Sequence, residues 1–144
     1  MMLVIDASVA IAWASPDEND SFADEAMRLA VEHGAAVPTL WPLEVANILV
    51  VNERRGRLTA GEAKEIMDDL KELALTVDPE TTSRAMEEIA ALAREHRLSV
   101  YDASYLELAQ RLSLPLATLD RDLRKAAKAI GLPDFFVTGG QGFI

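Results

Sequence analysis

The chain has 144 residues, half of them hydrophobic and about a quarter charged, which suits one globular domain with one substantial core. It has no cysteine and two histidines, which excludes disulfides and thiolate metal sites, argues against a histidine-rich zinc site and fits a reducing compartment. The net charge of −10 has the wrong sign for coating nucleic acid nonspecifically, so any nucleic-acid role must rest on local basic patches and bound cations.

"MLVID" reads as a short buried strand that ends in Asp6. "ASVAIAWA" follows as a short helix. "SPDE" offers a capping box with Pro16 at the first helical position, opening a helix that ends near Gly34. "AAVP" is a second brief strand. "LWPLEVANILVVNERRG" is an apolar helix with Pro42 near its start and Gly56 at its C-terminal end. "TAGE" opens another helix by the capping rule, and "LTVDP" is a third strand closed by Asp78 and Pro79. An amphipathic helix runs from about Thr81 to His96, with Met86, Ile89, Ala90, Leu92 and Ala93 on its apolar side. His33 and His96 both fall near helix ends, where a solvated or dipole-stabilised imidazole is expected.

"SVYDASYLELA" starts the next helix, with Ser99 and Asp102 in capping-box spacing. "LPLATLD" is a fourth strand, "RDLRKAAKAIG" a helix stopped by Gly131, "DFFVT" a fifth strand, and "GGQGFI" a short flexible tail. No basic leader precedes the first apolar run, which Asp6 interrupts, and no apolar stretch is long enough to span a bilayer. The cytoplasm is therefore the expected compartment. Short apolar strands alternating with helices imply one α/β domain over residues 1–144, with a parallel sheet of about five strands between helices.

Four acids stand among apolar neighbours: Asp6, Glu44, Asp102 and Asp120. In a parallel α/β sheet, Asp6 and Asp120 end strands. Glu44 and Asp102 open helices whose first turns lie at the same C-terminal edge, where open sheets carry their sites. Each acid also has an ordinary reading as a helix cap or turn residue. Together they raise a cost, since two carboxylates about 5 Å apart repel by about 3 kcal/mol at an effective dielectric near 20. A hard divalent cation, Mg²⁺ or Mn²⁺, removes that cost and suits phosphoryl chemistry.

Ser8, Thr118 and Asp122 are secondary candidates, as supporting donors, ligands through water, or locally satisfied groups. Asn47, one turn after Glu44, could help the site or bond locally. Basic residues cluster at "NERRGR" and "DRDLRKAAK". Arg54, Arg55 and Arg57 could meet RNA phosphates or a partner's acids, or form a solvated helix end.

"VIDASVAIAW", "LWPLEVANILVVNERRGR", "LSVYDASYLELAQRLSLPLATLD" and the following "RDLRKAAKAIG" resemble, in order and over nearly the whole chain, the PIN-domain ribonucleases, and within them the VapC toxins of VapBC toxin–antitoxin pairs. The resemblance implies a PIN-like α/β/α sandwich and Mg²⁺- or Mn²⁺-dependent endonucleolytic cleavage of RNA. Asp6, Glu44, Asp102 and Asp120 match the family's four acidic positions. It also implies a homodimer and a small VapB-like antitoxin, with DNA met only through that antitoxin. The match is less sharp around residues 14–38, 59–98 and the tail, which are expected to tune RNA and partner choice. The expected reaction is attack of a metal-activated water, leaving 5′-phosphate and 3′-hydroxyl ends. A solitary PIN nuclease and a non-catalytic module of a repressor complex are the alternatives. An aspartyl-phosphate phosphatase fits less well, because Ser8 stands where its second aspartate belongs.

Overall fold

The computed structural model describes residues 2–15 and 19–133. Its elements are β1 (Leu3–Ile5), α1 (Ala7–Ala14), α2 (Ser21–His33), β2 (Ala35–Val37), α3 (Trp41–Arg54), α4 (Ala60–Lys71), β3 (Leu75–Val77), α5 (Thr81–Arg84), a π-helical turn (Ala85–Ile89), α6 (Ala90–His96), α7 (Val100–Leu112), β4 (Leu116–Ala117) and α8 (Arg121–Ala129).

The four described strands form a parallel sheet in the order β3-β2-β1-β4. Successive side chains of a strand point to opposite faces. Leu3, Val4 and Ile5 are all buried, so both faces of β1 are covered. The fifth strand and the flexible tail expected from "DFFVT" and "GGQGFI" lie outside the described residues. The chain moves from β1 outward to β2 and β3, then returns to place β4 on the other side of β1. The reversal makes the carboxyl ends of β1 and β4 the topological switch point, where such sheets open a crevice.

Several elements differ from the sequence expectation. The helix expected from "SPDE" begins instead at Ser21, capped by Asp20, whose side chain accepts from the Ala23 N–H at 2.9 Å. The apolar period Phe22, Ala23, Ala26, Met27, Ala30 starts only there, and Ser15 belongs to the end of α1. β4 covers just two of the residues in "LPLATLD". Met86 is 93 % exposed, although a regular helix through residues 81–96 would put it on the apolar side. The π turn supplies the reason. Met86 lies within that turn, whose extra residue shifts it out of the register that buries Ile89 and Ala93.

Other signals act as their chemistry requires. Thr59 and Glu62 form a reciprocal capping box. Gly56 adopts φ +75° just past α3, a left-handed conformation that glycine takes without a Cβ clash. Among the described residues no helix is long and apolar enough to cross a membrane.

Candidate active site

Asp6 follows β1 and caps α1, and it is only 6 % exposed. Both of its oxygens are held. Ser8 Oγ donates to Oδ1 and Thr118 Oγ1 to Oδ2, each at 2.5 Å, and the Val9 N–H reaches Oδ1 at 3.3 Å. The hydroxyls are themselves tied to the segment after β4. Thr118 Oγ1 accepts from the Asp120 N–H at 3.0 Å, and Ser8 Oγ from the Leu119 N–H at 3.3 Å. The two hydroxyls therefore lock the end of β1 to the end of β4.

Asp120 caps α8 by accepting from the Asp122 N–H at 2.9 Å. Arg124 fastens this corner. Its guanidinium donates to the Thr118 carbonyl at 2.7 Å and stacks over Phe22 at 4.4 Å from the ring centroid. Glu44 lies in the first turn of α3, and Tyr105 of α7 donates a short hydrogen bond to its Oε1. Asp102 lies in the first turn of α7. Ser99 Oγ accepts from the Asp102 N–H at 3.0 Å, but the carboxylate does not reach back to complete the expected box.

The Asp102 carboxyl points instead into the field of the other acids. Burial pushes its pKa up to about 6, and the charges of Asp120, Asp6 and Glu44 add to the rise. Burial raises Glu44 against the lowering effect of Tyr105, and the Asp6 charge contributes to the rise. Burial also raises Asp6, opposed by its hydrogen bonds from Ser8 and Thr118. Tyr105 is pushed up by burial and by Glu44, so it stays a donor.

All four carboxylates are thus brought to one edge of the sheet. Among the described residues, however, no three acidic or histidine side chains form a ready metal cage. The donor chemistry still fits a hard divalent cation. All donors are oxygens, and their shared repulsion is what a cation relieves.

Other expected residues lie elsewhere. Asp122 is exposed and faces a different cleft. Asn47 is exposed and lines a cavity of about 350 Å³ with Leu40, Leu43, Glu44 and Tyr101, beside the acids. Arg54 is ten residues beyond Glu44, about 15 Å along the helix axis, and Arg55 and Arg57 lie further on. All three are exposed and make no ion pair among the described residues. His33 is exposed, whereas His96 is partly buried with Nε2 lacking a hydrogen-bond partner among the described residues. Sequence reasoning missed the link from Tyr105 to Glu44 and the clasp of Arg124. Their signals were the spacings Asp102 to Tyr105 and Asp120 to Arg124, one helical turn each.

Comparison with known families settles the kinship. The family model described as PIN domain matches residues 3–129. The chain belongs to the PIN-domain family. It is 35 % identical over 133 residues to Ribonuclease VapC3 of Pyrobaculum aerophilum, covering 92 % of this chain and 100 % of that one. It is 33 % identical over 129 residues to Ribonuclease VapC9 of Mycobacterium tuberculosis, covering 89 % and 93 %. Among solved structures it resembles PAE2754 from Pyrobaculum aerophilum with TM-score 0.66 and 26 % identity, over 89 % of this chain and 86 % of that one. In this PIN domain the family likeness therefore spans every element from β1 to α8.

Proposed function

We propose that this PIN domain is a metal-dependent endoribonuclease that acts as the toxin of a toxin–antitoxin pair. The observation that carries the reading is the convergence of Asp6, Glu44, Asp102 and Asp120 at the β1/β4 switch point, where their repulsion helps raise Asp102 to about 6. The names of the two relatives, both ribonucleases of the VapC group, support RNA as substrate and a small VapB-like protein as partner.

The four acids would hold Mg²⁺ or Mn²⁺. When bound, the cation supplies positive charge that orients water and offsets charge on the phosphodiester. The chain's own residues do the positioning. Ser8 and Thr118 fix both oxygens of Asp6. Tyr105 fixes Glu44, and the cap on α8 fixes Asp120. Held carboxylates need little rearrangement at the moment of reaction, which is how a preorganised site lowers a barrier. Among the described residues neither histidine stands beside the four acids, and Ser8 is committed to Asp6 and Leu119, so neither residue type is poised as general base or covalent nucleophile. Hydrolysis by water, leaving 5′-phosphate and 3′-hydroxyl ends, is the consistent outcome.

The cytoplasm is the proposed compartment, and a homodimer the proposed assembly. Mn²⁺ titration of the free protein by calorimetry tests the metal part, with one or two sites expected. No measurable affinity would favour a non-catalytic module in a repressor complex. A small neighbouring reading frame encoding a DNA-binding N-terminus would support the toxin role; its absence would favour a solitary nuclease.

A further inference from the structure

An acidic chain of net charge −10 must still bring a polyanion to four carboxylates if it cuts RNA. One cleft has the means. His96 and Arg97, at the end of α6, face Asp122, Lys125, Ala126 and Ala129 of α8 across a space of about 360 Å³. Arg97 and Lys125 are exposed and make no ion pair among the described residues, in contrast with Arg28, Lys64, Arg84 and Arg111.

The backbone marks Arg97. It has φ +55°, in the left-handed region, where it ends α6 and passes the Leu98 N–H to the Ala93 carbonyl at 3.0 Å. Glycine suits this position, and an arginine there costs about 1 kcal/mol. The fold nevertheless places a guanidinium at the cleft. Lys125 belongs to the basic run "DRDLRKAAK", of which the acidic site uses Asp120 and Arg124 but not Lys125.

The cleft shares α8 with the acidic site, although none of the four acids lines it. Asp120 caps α8 and holds the Asp122 N–H, and Lys125 lies five residues on, about 7.5 Å along the helix axis. The carboxylate of Asp122 also lines the cleft and opposes an anion there.

We propose that Arg97 and Lys125 form a phosphate-binding subsite that holds the RNA backbone outside the acidic centre. The subsite rests on the nuclease reading above, but it is measured as binding rather than cleavage. Sequence information is not expected from it, because phosphate contacts position a strand without reading its bases.

The experiment is fluorescence anisotropy of a labelled single-stranded RNA with the full chain, in EDTA, at a series of salt concentrations. Each phosphate contact contributes about 0.7 to the slope of log affinity against log salt. Arg97→Gln and Lys125→Gln are each expected to flatten the slope by about 0.7 and to weaken binding about 5-fold at 0.1 M salt, for any RNA sequence. Asp122→Asn is expected to tighten binding, and Arg97→Lys to keep it. Melting temperature and Mn²⁺ affinity are expected to stay at wild-type values in all four variants. Unchanged slopes in both glutamine variants overturn the subsite. Equal losses in Arg97→Lys and Arg97→Gln do so too, because charge would then not be the cause. Weakened binding of an acidic peptide with RNA binding intact would also overturn it, by reassigning the cleft to a protein partner. Unchanged slopes in a protein that cleaves RNA sink the subsite alone. Altered slopes in a protein that never cleaves RNA sink the nuclease reading alone.

Discussion

Tyr105 of α7 donates its hydroxyl to Glu44 of α3, 61 positions away in sequence. The same helix carries Asp102 in its first turn. One buried helix, whose residues Ala103 to Ala109 are all shut from solvent, thus presents one acid directly and orients another.

The pair makes Tyr105→Phe informative, because the ring still fills its space while the donor is lost. Partners that orient metal-binding side chains typically alter affinity 10- to 100-fold. Mn²⁺ affinity is expected to fall about 10-fold, with the melting temperature nearly unchanged. Wild-type Mn²⁺ affinity in the phenylalanine variant would reduce Tyr105 to a packing residue.

Thr118→Val tests the lock between β1 and β4. Thr118 is fully buried, donates to Asp6 and accepts from the Asp120 N–H. Valine matches its shape and leaves the buried Oδ2 of Asp6 without its donor, which costs about 1–3 kcal/mol. Denaturant unfolding is expected to show a loss in that range. A loss no larger than that of an exposed control substitution would show that the hydroxyl does not hold the site.

The acids also set a pH dependence. Asp102 is raised from 3.8 to about 6, so the folded state binds this proton more tightly than the unfolded state. Its contribution favours folding below pH 4 and is lost as pH rises toward 6. At pH 7 the metal-free protein therefore carries a penalty that Asp102→Asn relieves. The expected gain is about 1–2 kcal/mol once solvent screening at this half-buried group is counted. It should appear in EDTA at pH 7 and vanish near pH 4. In wild type, stabilisation by Mn²⁺ should run the other way, larger at pH 7.5 than at pH 5, because the cation competes with the proton. A pH-independent Mn²⁺ effect would contradict the mutual repulsion described above.

A second cluster of charges supports the fold without joining the acids. Arg111 donates to Asp78 at 2.5 Å and to Glu107 at 2.9 Å, and Arg84 reaches Glu107 at 3.4 Å. Burial pushes Asp78 up, but hydrogen bonds from Arg111, the Glu80 N–H and Thr81, with the Arg111 charge, outweigh it and hold the carboxyl below its usual range. A depressed acid stabilises the fold above its unfolded pKa of 3.8, and that stability drains as pH falls below it. Arg111→Met leaves buried Asp78 without its cation and Glu107 with Arg84 alone, and is expected to cost about 3 kcal/mol near neutral pH, with a smaller deficit below pH 4. An equal deficit at both pH values would mean that packing, not charge, is lost.

Much of this was legible in the sequence because local rules and global topology agreed. "MLVID", "AAVP" and "LTVDP" gave strands by apolar run and turn chemistry, and their order with the helices implied the edge where the acids meet. Other features rest on competing local choices. Asp20 outcompetes Ser15 as the start of α2 because the apolar period begins beside it. A π turn leaves no mark in a helical pattern, so a regular helix puts Met86 on the buried face whereas the fold exposes it. Distant pairings such as Tyr105 with Glu44, or Arg111 with Asp78, depend on how α7 crosses the other elements, and periodicity along one helix does not encode that.

The most direct test is the rate of RNA cleavage in Mg²⁺ for wild type, Asp6→Asn, Glu44→Gln, Asp102→Asn and Asp120→Asn, with exposed Asp24→Asn as the charge control and EDTA as the metal control. Cleavage by wild type that stops in EDTA, falls at least about 100-fold in each of the four acid variants and persists in Asp24→Asn is expected. Cleavage that survives EDTA, or proceeds at the wild-type rate in Asp102→Asn, would contradict the assignment of these four carboxylates as one metal-dependent centre.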